Sequence, residues 1–164
     1  MTSLRPQGLC PHLFVIGAEA AITFYRQGLG AVEVFRNTLP NGSILFVELQ
    51  LGAGRLLVSE ETPALGALAP PTLGGSPVLI LLEVEDPDAV AERAIAAGAE
   101  VEMPVREMFW GERYGVLRDP FGHRWAVTTA REQLTPDEIV EGNRTAEPHL
   151  PPSDLPLSGL PPSD

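Results

Sequence analysis

Few side chains in this chain can do chemistry on their own. One cysteine and three histidines stand among 164 residues, and Cys10 and His12 flank Pro11 at the head of the apolar run Pro11-His12-Leu13-Phe14-Val15-Ile16. A run so rich in β-formers reads as a buried strand, whose alternate side chains share a face. Cys10, His12 and Phe14 then face one way, and Leu13 and Val15 the other. In the stretch Ser43 to Leu51, the residues Leu45, Val47, Leu49 and Leu51 form the apolar set that a helix-packed face requires, which turns Phe46, Glu48 and Gln50 the opposite way. Near the end, Trp125 and Val127 read as core, leaving Arg124, Ala126 and Thr128 on the other face. An imidazole, a carboxylate, an amide and a guanidinium presented this way can anchor a small ligand, and Arg124 can clamp an anionic group. No Ser-His-Asp spacing or Gly-x-Ser-x-Gly elbow is present, so metal-free nucleophilic catalysis has little support. Cys10 itself reads as a small buried residue, and His123, just after the Gly122 turn, as turned toward the helix side or solvent.

The elements that must position these groups occur twice. After the first strand, Ala18, Ala21, Ile22, Tyr25 and Leu29 recur at helical spacing, and Gly28-Leu29-Gly30 supplies the stop. Strands are predicted at 31–36, at 43–51 after the Asn41-Gly42 turn, and at 55–60 after Gly52-Ala53-Gly54. From Pro77 the order returns. The strand at 78–84 leads to Asp86-Pro87, a helix cap and first helical residue. The helix ends at Gly98-Ala99 as the first ends at Gly30-Ala31. Strands at 99–102, 113–118 and 123–129 complete the second unit. The sequence thus predicts two βαβββ units, 11–60 and 77–130, joined by a Pro/Gly-rich linker at 61–76. They lie within one domain spanning 1–142, which ends in a short helix capped by Thr135 and Glu138. A proline-rich extended tail is expected at 143–164.

Composition narrows the function classes. A formal charge of −11 disfavours nucleic acid and anionic membranes as partners. Residues 131–164 hold seven acids and two arginines, so the body carries about half of the excess. The lone cysteine excludes an intrachain disulfide and fits a reducing compartment. Neither a signal peptide nor an apolar stretch of membrane-spanning length is evident, so the expected location is the cytoplasm.

Several stretches resemble the glyoxalase, bleomycin-resistance and extradiol dioxygenase superfamily, the vicinal oxygen chelate proteins. The residues Pro11 to Val15, Ala20 to Tyr25 and Gly30-Ala31, with Met108 to Gly115 and Leu134 to Glu138, are similar to its PhnB-like branch. The stretch Arg118 to Trp125 is similar to the superfamily's final hairpin. The resemblance implies an α+β fold of paired βαβββ modules. Together they would form a cupped mixed sheet, with helices on the convex side and a ligand on the concave face. It also implies a homodimer, since such modules pair within or between chains.

Metal-dependent members place one His or Glu on each of four strands. Carried onto this chain, the positions fall at Cys10 with His12 beside it, at Glu48, at Leu79 and at Ala126. Leucine and alanine bind no metal, so the favoured expectation is a metal-free binding protein with no cofactor. Such a protein would sequester an antibiotic or another cationic or aromatic small molecule. Phe14, Phe46 and Trp110 would wall the cup, with His12, Glu48, Gln50 and Arg124 as polar anchors. An arginine–glutamate pair between Arg124 and Glu48 across the cup is the plainer role for those two residues. The alternative is a lyase, isomerase or dioxygenase that uses His12, Glu48 and one divalent metal ion.

Overall fold

Strand alternation decides which face of each sheet meets a helix, and the computed structural model, which describes residues 8–130 and 134–145, follows that alternation. The first unit runs β1 (His12–Val15), α1 (Ala18–Gly28), β2 (Val32–Thr38), β3 (Ile44–Leu51) and β4 (Gly54–Glu60). A linker follows, with a short 3-10 turn and the one-turn helix α2 (Pro70–Leu73). The second unit is β5 (Leu79–Glu83), α3 (Pro87–Ala96), β6 (Glu100–Glu107), β7 (Glu112–Arg118) and β8 (Arg124–Ala130). Each unit makes a four-stranded mixed sheet, ordered β1-β4-β3-β2 and β5-β8-β7-β6, with one parallel and two antiparallel pairings. The repeat extends to register: His12 pairs with Leu57 and Leu79 with Arg124, the same interval of 45 residues. This is the expected α+β fold of paired modules. Among the described residues no strand of one sheet is hydrogen-bonded to a strand of the other.

The helix ends follow local chemistry. Asp86 accepts from the backbone N–H of Ala89 at 3.0 Å and Pro87 opens α3, so this helix carries its own cap. No side chain at position 17 can cap α1. Glu60, arriving at the end of β4, instead accepts from the N–H groups of Gly17 and Ala18, both at 2.8 Å, where a carboxylate also complements the helix dipole. Thr135 and Glu138 exchange hydrogen bonds as a capping box at the start of α4 (Pro136–Thr145). That helix occupies the first three residues of the segment expected as tail, and the rest of the tail lies outside the described residues.

The modules meet through their helices. At Gly28 a Cβ would lie 3.2 Å from the Cα of Ala94, so α1 and α3 approach closely because glycine and alanine face each other. Leu13, Val15, Val47, Leu49 and Val58 from the first sheet and Leu117, Trp125 and Val127 from the second are buried in the one core that contains both helices. Against this core lies Asp119, in the β7–β8 turn and 3% exposed. Its carboxylate accepts from Tyr25 Oη of α1 at 2.8 Å, Trp125 Nε1 at 3.0 Å, and the N–H groups of Phe121 and His123, both at 2.9 Å. Four donors offset the desolvation of a buried anion. Burial, then the Asp119 charge and hydrogen bond, raise the Tyr25 phenol well above its ordinary pKa.

Two outcomes follow from this junction. Tyr25→Phe removes one charge-assisted hydrogen bond and is expected to cost roughly 2 kcal/mol in denaturant unfolding at neutral pH. Asp119→Ala, which strands buried donors, should cost more, on the order of 3 kcal/mol. A phenol whose folded-state pKa is raised contributes stability that is intact below its unfolded pKa of 10.0 and is lost as pH rises toward the folded value. The wild type should therefore lose stability above pH 10.0 more steeply than Tyr25→Phe.

Candidate functional site

On the first sheet, the face away from α1 carries a row of residues set by register: His12, Leu57, Glu48 and Phe35 side by side on β1, β4, β3 and β2. The neighbouring row holds Phe14, Ser59 and Phe46. His12 Nε2 lies 2.7 Å from Ser59 Oγ, and that hydroxyl donates its proton to the carbonyl of Leu45 at 2.9 Å. Ser59 must then accept from His12, which puts the imidazole proton on Nε2 and leaves Nδ1 as an acceptor. Burial lowers the His12 pKa. The rings of His12 and Phe14 pack with centroids 4.5 Å apart, and those of Phe35 and Phe46 lie 5.7 Å apart.

Glu48 is 5% exposed and forms an ion pair with Arg55 at 2.9 Å. The expected pairing of Glu48 with Arg124 does not occur, because Arg55 sits on the adjacent strand while Arg124 lies on the other sheet, bound to Glu102 at 2.7 Å. Gln50 turns its amide to the carbonyl of Gly52 at 2.7 Å, closing its own turn. On the second sheet, Trp110 donates from Nε1 to Glu112 at 3.0 Å and packs edge-on against Tyr114. Glu112 also accepts from Thr128 Oγ1 at 3.1 Å.

The seven residues singled out from the sequence are thus divided. His12 and Phe14 line a cleft of about 330 Å³ at the seam between β1 and β5, walled by Leu68, Val78 and Ile80. Arg124 lines a second cleft, of about 560 Å³, on the other side of the linker. Phe46, Glu48 and Gln50 line neither cleft, and neither does Trp110. His123, expected on the helix side or in solvent, lines the seam cleft with His12 and Phe14. It is 9% exposed, and its Nε2 lies 3.0 Å from the carbonyl oxygen of Phe14. The carbonyls of Pro11 and Val15 point to β4, so that of Phe14 points to the open edge of β1, which the imidazole covers. Sequence reasoning passed over Ser59, Arg55, Glu102 and Arg118. Arg55 was findable, since the Gly52-Ala53-Gly54 turn pairs Gln50 with Arg55 and brings it diagonally beside Glu48.

The donors do not fit a resident divalent ion. His12 and Glu48 are two strands apart, roughly 10 Å at the usual strand spacing. Leu79 and Ala126 offer no ligand atoms on the second sheet. Among the described residues no three His, Cys, Asp or Glu side chains gather where they could hold a metal.

This arrangement is that of a known superfamily. The chain belongs to the Glyoxalase/Bleomycin resistance protein/Dioxygenase superfamily, whose model matches residues 10–127. Among its relatives is an uncharacterized protein of Mycobacterium bovis, 38% identical over 134 residues, covering 80% of this chain and 88% of that one. A glyoxalase/bleomycin resistance protein/dioxygenase from Nocardioides is 25% identical with a TM-score of 0.58, over 82% of this chain and 90% of that one. The fosfomycin resistance protein FosX from Listeria monocytogenes, complexed with Mn(II) and sulfate, shares the fold at TM-score 0.59 and 15% identity, over 84% of this chain and 98% of that one.

His12 provides a test of the local geometry. A lowered folded-state pKa means that its contribution to stability is complete above 6.5 and is lost as pH falls through the folded value. NMR titration should place the His12 midpoint below 6.5, and Ser59→Ala should perturb His12 more than His123.

Proposed function

We propose that this chain is a metal-free small-molecule-binding protein of its superfamily, within the PhnB-like branch. The observation that carries the reading is the seam cleft, whose volume of about 330 Å³ is of ligand size and whose wall is mostly apolar. His12 and Phe14 present a pair of packed, mutually tilted rings to it, and His12 Nδ1 is the polar anchor an aromatic ligand with a donor group would use. The occupant is a small, flat, largely apolar molecule, as an antibiotic fragment is. Aliphatic residues at 79 and 126 and the engagement of Glu48 by Arg55 support binding without a divalent ion.

The protein acts as a homodimer in this reading. Val32, Phe35 and Leu81 are 60%, 45% and 61% exposed on sheet faces turned away from the helices, where a second copy would cover them. It works in the cytoplasm, in keeping with its single cysteine; no helix among the described residues is long and apolar enough to cross a membrane.

Panels of aromatic ligands screened by NMR should perturb His12, Phe14 and Ile80 together, and Phe14→Ala should weaken the hits by about tenfold, the loss of one stacking contact. Protein purified without chelator should contain well under one equivalent of zinc, manganese, nickel or iron. Near-stoichiometric metal that is lost in His12→Ala would overturn the binding-protein reading in favour of a metal enzyme. Sedimentation at micromolar concentration should give a dimer.

A further inference from the structure

Strand register brings two arginines of this acidic chain together. Arg118, the last residue of β7, and Arg124, the first of β8, are directly paired across the two strands. Like charges opposite each other are unfavourable in a sheet. One carboxylate serves both: Glu102 of β6, in an irregular stretch of the β6–β7 register, accepts from Arg118 Nε at 2.8 Å and from Arg124 Nε at 2.7 Å. At three other arginines the carboxylates match or outnumber the guanidinium. Arg36 is shared by Glu19 and Glu33, Arg55 has Glu48, and Arg113 has Asp88. The trio at 102, 118 and 124 keeps a net charge of +1. Among the hydrogen bonds and ion pairs of the described residues, the two Nη groups of Arg124 and Nη1 of Arg118 donate to no protein group.

These groups open into the larger cleft, of about 560 Å³, whose opposite wall is the linker at Pro70, Pro71 and Gly74 to Ser76. That wall is held close. A Cβ at Gly122, which has φ 89°, would lie 2.8 Å from the Cβ of Pro70, so only glycine lets the β7–β8 turn and the linker meet. The guanidiniums are therefore half-exposed within a walled space, where planar N–H forks match an oxyanion. The formal charge of −11 does not outweigh this, because at physiological salt charges beyond about 8 Å are largely screened.

We propose that Arg118 and Arg124, sharing Glu102 as their counter-ion beneath the linker, form a binding site for an oxyanion, the phosphate or carboxylate group of a small molecule. The site goes beyond the seam cleft and its aromatic occupant, and stands whether or not that reading holds. Glu102 acts as a resident counter-ion that an incoming anion partly displaces. Removing it should therefore strengthen binding, whereas removing a structural brace would weaken it.

The test titrates the full chain with inorganic phosphate and, separately, with benzoate, against sodium chloride at matched ionic strength, following backbone amides by NMR. Saturable shifts at Arg118, Gly122 and Arg124 beyond those in chloride are expected with at least one probe. Phosphate alone identifies a phosphate site, benzoate alone a carboxylate site, and both a general oxyanion site. Arg124→Gln and Arg118→Gln should each weaken the responding probe about tenfold, as loss of a charge-assisted pair of bonds implies, while Arg36→Gln should not. Glu102→Gln should bind several-fold more tightly. Absence of saturable shifts with either probe overturns the proposal in the wild type itself, without reliance on a variant. So does a Glu102→Gln protein that stays folded but binds more weakly. Shifts at His12 and Phe14 with aromatic ligands are read separately, so either site can fail without the other.

Discussion

A single buried carboxylate ties the two halves at their shared core. The ladder hydrogen bonds of each sheet stay within its own module, so the register of the strands alone does not set one module against the other. Asp119 adds such a constraint, because its carboxylate needs Tyr25 from the first module as well as the groups of its own turn. Leaving it short of a donor would place a poorly compensated charge in the core. The Tyr25 and Trp125 rings, 5.6 Å apart, surround the same point with apolar surface. From this contact the rest follows: α1 is set against α3 at Gly28 and Ala94, the open edge of β1 reaches His123, and the seam cleft acquires two walls.

Much of this architecture was legible because it depends on short-range pattern. The alternation Leu45-Val47-Leu49-Leu51 placed Phe46, Glu48 and Gln50 on the correct face. Likewise Asp86-Pro87 and Thr135 with Glu138 announced their helix caps. The partners of the polar residues were not legible, since they depend on which strands become neighbours. Glu48 finds Arg55 through the β3–β4 register, and Arg124 finds Glu102 only across β7. Gln50 was available in the pattern, yet its turn absorbs it. Glu60 capping α1 is a further case: 42 residues separate it from Ala18, and nothing local to either residue announces the contact.

The two modules share strand order and register but not surface chemistry. The first offers rings and an imidazole, in Phe14, Phe46 and His12. The second offers charge, in Glu102, Arg118 and Arg124, with the Glu112 cluster around Trp110. Since the ladder bonds of each sheet stay within its own half, substitutions on one outer face do not disturb the pairing of the other. Gene duplication followed by separate drift is the simplest history for such a molecule.

The parallel pairings also govern how the chain reaches this state. His12 meets Leu57, and Leu79 meets Arg124, only after the intervening helix and hairpins have been laid down. Neither pairing can form early, because the entropy of closing a loop of that length is lost before any ladder bond returns it. Synthesis on the ribosome delivers the first module in full while β8 is still to be made. Through that interval Tyr25 waits for its acceptor, with apolar surface of α1 uncovered. Completion of the second module therefore ends the period in which the nascent chain is most prone to aggregate.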